Sequence, residues 1–197
     1  MKLFSANLSG RVRNFSLPKN RPLIPLYEAI VNSINAIEER HKKDPGFVSG
    51  KIIIEVLRYR TLLDELDANT VDGFKITDNG IGFTNENMQS FMESDSAYKA
   101  EIGGKGVGRF SWLKAFSKVD ISSVYSEDGV YKKREFEFCV DNPGIEDKLE
   151  ECSNVVENKT VVTLLSYLKD YERYVPRQID TIAMRIVQHC LVYFINE

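Results

Sequence analysis

The chain has 197 residues, of which 43% are hydrophobic and 28% charged, and its net charge is −3 at pH 7. This composition is typical of one globular domain and excludes a disordered chain, and the apolar runs are too short to span a bilayer. The small net charge gives no overall attraction for nucleic acid, and two histidines are too few for a histidine-rich metal site.

The N-terminus and the cysteines predict a cytoplasmic protein with no membrane segment. Met1 is followed by Lys-Leu-Phe-Ser-Ala-Asn, which lacks the apolar core of a secretory signal. Cys139, Cys152 and Cys190 are widely spaced and include no Cys-x-x-Cys pair, so they fit free thiols in a reducing compartment.

Residues 1–25 are interpreted as an N-terminal arm because three of them are prolines, and residues 26–197 as the domain. From Leu26 to Lys43, apolar residues recur at helical spacing, and Asp44-Pro45-Gly46 ends the run. The pattern predicts one amphipathic helix.

Three polar residues share a face of this predicted helix, namely Glu28, Asn32 and Asn35. A solvated polar stripe is one interpretation. The other is chemical, because a carboxylate can orient or deprotonate a water molecule and an amide oxygen can ligate Mg²⁺. Glu28 and Asn32 are the candidates for these two roles.

Two strands are predicted next, at Lys51–Tyr59 and Val71–Thr77, and the second leads directly into Asp78-Asn79-Gly80-Ile81-Gly82. Asp-Asn-Gly is also typical of a plain turn. The second glycine, Gly82, would let a base or a phosphate approach the backbone closely. An ionised Asp78 accepts hydrogen bonds only, so it would bind the amino group of adenine and repel the carbonyl of guanine.

A short helix and a loop are predicted over residues 83–102, which are mostly polar and small, and a glycine-rich segment follows at Gly103-Gly104-Lys105-Gly106-Val107-Gly108. Because a helix is predicted immediately afterwards, up to Phe116, the segment favours phosphate binding at a helix N-terminus over a flexible linker. Lys105 adds a positive charge. The segment lacks the spacing of the P-loop and of the dinucleotide-binding fingerprint.

The remaining elements are three predicted strands, an exposed connection and a final helix. The strands are Val119–Tyr125, Val130–Val140 and Thr160–Ser166, with the acidic connection over residues 141–159. The helix, from Pro176 to Ile195, has a broad apolar face that must pack on something. This order predicts an α+β fold, a two-layer α/β sandwich with a mixed β-sheet and helices on one face.

Taken together, four segments resemble the ATP-binding domains of the GHKL ATPases. They begin at Glu28, Asp78, Gly103 and Thr160. The family includes the ATP-binding part of DNA gyrase, the ninety-kilodalton heat-shock chaperone, sensor histidine kinases and MutL. The resemblance covers roughly residues 26–165 and implies the Bergerat ATP-binding fold, with ATP and Mg²⁺ as ligands.

The resemblance also implies roles for single residues. Glu28 matches the general base, Asn32 the Mg²⁺ ligand and Asp78 the aspartate that binds the adenine amino group. Thr160 matches the threonine that supports this aspartate and a bound water. Asn35 stands where many members have aspartate. The other matched positions surround the base, at Gly80 and Gly82, or the phosphates, at Gly103, Gly104, Lys105, Gly106, Val107 and Gly108, and residues 83–102 match the ATP lid.

The function expected from this resemblance is that of a Mg²⁺-dependent ATPase module. Its nucleotide state would close the lid and change association with further domains of the same protein or with a second copy, and nucleic acid would be bound through partner domains. Two alternatives stay open. One is a non-catalytic ATP-binding switch, because gyrase and MutL relatives use a lysine from a following domain that this chain does not include. The other is a histidine kinase, although those enzymes generally lack the glutamate matched by Glu28.

Overall fold

The computed structural model describes residues 8–59, 69–92, 108–141, 145–154 and 157–195. These ranges form an α+β fold, which confirms the predicted class. The helices are α1 (Leu8–Asn14), α2 (Ile24–Lys43), α3 (Asn85–Met92), α4 (Gly108–Ala115), α5 (Lys169–Glu172) and α6 (Ile179–Ile195). The strands are β1 (Ile52–Arg58), β2 (Val71–Asp78), β3 (Phe116–Glu127), β4 (Val130–Cys139), β5 (Lys148–Glu151) and β6 (Lys159–Tyr167).

The strands form one open sheet in the order β1-β2-β6-β3-β4-β5, and every described pair is antiparallel. The prediction of a mixed sheet was therefore wrong for the described residues. The β3–β4 hairpin and the consecutive pair β1–β2 are antiparallel neighbours, and β6 enters between β2 and β3 in the opposite direction to both. Side-chain periodicity carries no information about that direction.

The core lies between one face of the sheet and the helices. Alternate residues of the central strands, such as Phe74 and Leu164, are fully buried and belong to one cluster with Leu26 of α2 and Trp112 of α4. The Trp112 indole donates a hydrogen bond to the Pro25 carbonyl over 3.1 Å, which joins the two helices. The described part of the predicted arm, residues 8–25, contributes Val12, Leu17 and Leu23 to the same core.

Strand β5 lies inside the segment that was predicted to be an exposed connection, so that prediction was wrong for residues 148–151. The strand escapes sequence patterning because all four residues are exposed and three are charged. It pairs with the edge of β4 so that Lys133 faces Glu150 and Lys132 faces Glu151. Opposite charges on paired strands stabilise such an edge without an apolar face.

Only one side of the predicted apolar face of α6 is buried in the structure. Ile182 and Cys190 are buried, whereas Val187 is 54% exposed and Leu191 is 48% exposed. The packed side reaches α2, where the His189 ring stacks on Tyr27 with centroids 4.1 Å apart. None of the helices among the described residues combines the length and the hydropathy needed to cross a membrane.

Candidate functional site

The predicted polar face of α2 lies beside the glycine motif that follows β2. Glu28, Asn32 and Asn35 are half-buried, and the neighbouring Ser33 is 3% exposed. Helix α2 has a proline in its first turn. Its C-cap is Asp44, which has an extended backbone and whose amide donates to the Arg40 carbonyl over 2.8 Å. The half-burial of three polar side chains on one helix is unlike a fully solvated stripe.

The carboxylate of Glu28 lies at the start of α4. A Cβ atom on Gly108 would overlap Glu28 Oε2 and would come 2.8 Å from Cδ, so the absence of a side chain at Gly108 gives the carboxylate its place. Gly108 ends the predicted glycine-rich segment. The other members of that segment, Gly103, Gly104, Lys105, Gly106 and Val107, lie outside the described residues.

Asp78 ends β2 as a buried carboxylate, only 4% exposed. Its Oδ2 accepts a hydrogen bond from the Ser33 hydroxyl and its Oδ1 accepts one from the Gly80 amide, each over 2.9 Å. Burial raises the pKa of Asp78 to about 6, although these two hydrogen bonds favour the ionised form and lower it. The side chain is held in one orientation by α2 on one side and by its own turn on the other.

The two glycines after Asp78 allow the chain to approach its neighbours closely. A Cβ atom on Gly80 would lie 2.7 Å from the Ala36 carbonyl carbon, and the next amide, that of Ile81, donates to the Ala36 oxygen over 2.9 Å. Gly82 has φ +84° and lies against Tyr125. Packing within the protein therefore requires both glycines, in addition to any role beside a ligand.

Thr160 lies directly opposite Asp78 in the β2–β6 ladder. Its hydroxyl is 2.8 Å from the Ser123 hydroxyl, which also accepts a hydrogen bond from the Phe83 amide over 3.0 Å. Sequence reasoning missed Ser123. The alternation of residues along β3 could have indicated it, because this alternation places Ser123 on the buried face between Ile121 and Tyr125.

Three asparagine and arginine side chains hold the Asp78–Gly82 turn in place, and none was predicted. The Asn79 side chain accepts from the Lys51 amide over 2.7 Å and donates to the Ser49 carbonyl over 3.0 Å. Arg40 of α2 donates to the Asn79 carbonyl over 2.7 Å. Asn158 donates to the Gly80 carbonyl over 3.1 Å, in a buried position.

Arg134 fixes the beginning of the predicted lid. Its side chain is 4% exposed, and it donates to the carbonyls of Phe83 and Thr84 over 2.9 and 3.0 Å and to the Asn85 side chain. Asp147 faces its Nε at 3.1 Å. Residues 83–92 are thereby packed against β4, whereas residues 93–102 lie outside the described residues.

A concave surface lies on the opposite face of the sheet, away from Asp78. Its acidic lining includes Asp120, Glu135 and Glu137. Lys118 pairs with Asp120 and Glu137, and Lys133 pairs with Glu135 at 2.8 Å. These exposed pairs account for the acidic side chains as ordinary surface ion pairs.

No three His, Cys, Asp or Glu side chains converge on a common metal position within the described ranges. The predicted Mg²⁺ ligand is an amide oxygen, that of Asn32, which belongs to none of these residue types. Neither a family model nor a curated protein matches the sequence significantly.

Proposed function

We propose that the chain is a GHKL-type module with the Bergerat fold that binds ATP with Mg²⁺ and hydrolyses it. The observation that supports this most is the convergence of residues from distant segments. Asp78 and Thr160 are opposite each other on neighbouring strands, and Glu28 lies against Gly108 beside the glycine-rich segment. Because these side chains belong to separate elements, a solvated stripe or an isolated turn does not account for their placement.

The base would be bound at Asp78. An ionised carboxylate accepts hydrogen bonds only, so it suits the amino group of adenine and disfavours the carbonyl of guanine. Ser33 and Gly80 already orient the two carboxylate oxygens, which reduces the ordering needed on binding. Gly82 and Thr160 complete this proposed subsite.

The phosphates would lie at the N-terminus of α4. Helix α4 begins at Gly108, where its first amides and its dipole favour negative charge. Residues 103–107, including Lys105, are proposed to continue this anion site. Asn32 would ligate Mg²⁺, which supplies charge neutralisation at the phosphate oxygens. Asn35, one turn further along α2, is proposed to contact the bound nucleotide with a neutral amide.

Glu28 would act on water. Its carboxylate is held next to the start of α4, where the terminal phosphate is proposed to lie. A carboxylate in this position can orient a water molecule and accept its proton as the bond to phosphorus forms. Binding and hydrolysis of the nucleotide would change the association of the module with further domains or with a second copy, as the family resemblance implies.

The decisive experiment compares wild-type protein with Glu28→Gln, which keeps the shape of the side chain and removes the base. ATP affinity should change little, whereas phosphate release should fall by roughly 100-fold or more. Glu38→Gln is the matched control, because Glu38 is exposed on the same helix. Calorimetric titration measures binding, and a phosphate-release assay measures turnover.

The outcomes separate the candidate functions. Undiminished turnover in the Glu28→Gln variant would overturn the assignment of the base. Wild-type ATP binding without turnover would favour the non-catalytic switch, and transfer of the γ-phosphate to a protein histidine would favour a kinase. Absence of ATP binding in the wild type would overturn the proposal as a whole.

A further inference from the structure

Ser123 joins the turn after Asp78 to the strand that carries Thr160. Its side chain is fully buried, and its Oγ accepts the Phe83 amide hydrogen over 3.0 Å. The same Oγ lies 2.8 Å from the Thr160 hydroxyl. Ser123 therefore stands between the Phe83 amide, next to Gly82, and the Thr160 hydroxyl, and cannot reach solvent.

Either hydroxyl of the Ser123–Thr160 pair can donate to the other, and the two directions differ in which hydrogen stays unpaired. Each hydroxyl has one hydrogen to donate. Among the described residues, Thr160 Oγ1 is the one acceptor that the Ser123 hydroxyl reaches. If Thr160 donated instead, the Ser123 hydrogen would be buried without an acceptor, which is unfavourable. Donation by Ser123 leaves the unpaired hydrogen on Thr160, which is 5% exposed, whereas donation by Thr160 leaves it on the fully buried Ser123, so a ligand that accepts from Thr160 favours Ser123 as the donor.

With Ser123 as the donor, the hydrogen of Thr160 has no protein acceptor among the described residues. Asp78 is its opposite neighbour, but the hydrogen bonds to the Asp78 oxygens come from Ser33 and Gly80 and not from Thr160. Thr160 is only 5% exposed, so an acceptor supplied by a ligand, or by a water bridging to that ligand, would satisfy it. The subsite thus presents an acceptor at Asp78 next to a donor at Thr160.

We infer that Ser123 is a positioning residue that determines base specificity by directing the Thr160 hydroxyl as a donor towards the bound base. The inference rests on the proposed ATP-binding function. In adenine, the amino group is adjacent to the ring nitrogen N1, which is an acceptor. Guanine has a carbonyl and an N1 hydrogen at these places, so the arrangement of Asp78 and Thr160 disfavours both of its groups.

Two altered nucleotides test the two halves of this arrangement. The 1-deaza analogue of ATP lacks the N1 acceptor, and the purine riboside triphosphate lacks the amino group. Calorimetric titration of the full chain with ATP and both analogues should be made for the wild type and for Ser123→Ala, Thr160→Val and Thr160→Ser. Circular dichroism and thermal denaturation establish that each variant is folded.

In the wild type, removal of N1 should weaken binding by about 2- to 10-fold, the effect of one hydrogen bond. Ser123→Ala and Thr160→Val should bind ATP about as weakly as the wild type binds the 1-deaza analogue. Each variant should bind the 1-deaza analogue with nearly the same affinity as it binds ATP. Both variants should retain the loss caused by removal of the amino group, because Asp78 is unchanged. Thr160→Ser retains the hydroxyl and should behave as the wild type.

If folded Ser123→Ala lost as much affinity as the wild type when N1 is removed from the nucleotide, this inference would be overturned and the proposed function would stay intact. ATP binding by that variant at wild-type strength would do the same. Absence of ATP binding in the wild type would instead overturn the proposed function. If Ser123→Ala does not fold, Ser123→Cys provides the test, since it keeps the shape of the side chain and weakens both hydrogen bonds. A loss of affinity on removal of N1 that is as large in Ser123→Cys as in the wild type would overturn the inference.

Discussion

The carboxylate of Glu28 occupies the space beside Gly108 that a side chain on that residue would need. Gly108→Ala should therefore displace the carboxylate, which is the far end of a flexible side chain, while the backbone stays in place. We expect the fold to be retained, because alanine is favoured over glycine within a helix by about 0.5–1 kcal/mol. ATP turnover should fall by roughly 100-fold, the effect of a catalytic group misplaced by about 1 Å.

Gly46→Ala is the control for this glycine substitution. A Cβ atom there would meet only Asp44 Oδ1, at an ordinary contact distance of 3.4 Å. Thermal denaturation and phosphate release should be measured for both variants. Equal turnover in the two variants would contradict the proposed role of the Glu28–Gly108 contact.

The burial of Asp78 predicts a pH-dependent difference in stability from Asp78→Asn. Folding raises the pKa of this carboxyl from 3.8 to about 6, so the folded state binds the proton more tightly than the unfolded state. Ionisation then destabilises the fold, by an amount of about 3 kcal/mol for this shift. As pH rises from about 4 to about 6, the wild type should lose stability relative to the variant, and the difference should be constant at higher pH.

Urea unfolding of both proteins at several pH values measures this difference. The contributions of other titrating groups are common to the two proteins and cancel in the comparison. Parallel stability curves over the whole range would show that Asp78 is not held in the buried environment described above.

Arg134 should be indispensable to the order of residues 83–92. Arg134→Lys keeps the charge but loses the fork that reaches Phe83, Thr84 and Asn85, so buried carbonyls lose partners. We expect a loss of about 2–4 kcal/mol in the free energy of unfolding and weaker protection of α3 amides against hydrogen exchange. Lys133→Ala, on the exposed face of the same strand, should change stability by at most about 1 kcal/mol. Unchanged protection of α3 in Arg134→Lys would contradict this role.

The two sides of α6 should respond differently to truncation. Ile182 is 2% exposed, so Ile182→Ala should cost about 2–5 kcal/mol in the free energy of unfolding. Val187 is 54% exposed, and Val187→Ala should change the free energy of unfolding by no more than about 0.5 kcal/mol. Denaturant titration of both variants makes the comparison; a similar cost at the two positions would mean that the exposed side is also packed in solution.

Local patterns in the sequence predicted much of this fold, including α2, the strands β3 and β4 and the α+β class, because periodicity acts within a few positions along the chain. The antiparallel direction of β6 and the edge strand β5 were missed, since both depend on pairing between distant segments. The same limit applies to the site. Asp78 was recognisable from its turn, whereas the roles of Ser123 and Arg134 arise only when β3 and β4 are placed beside that turn.

The position of β6 has a consequence for how the site forms during folding. β6 pairs with β2 on one side and β3 on the other, so it joins two parts of the sheet that would otherwise be separate. Asp78 and Glu28 are synthesised long before Thr160, and this long-range pairing is slow to form because a large loop must close. A growing chain that has not yet reached Lys159 would lack the strand opposite Asp78, so the proposed nucleotide site would be incomplete until the sheet is formed.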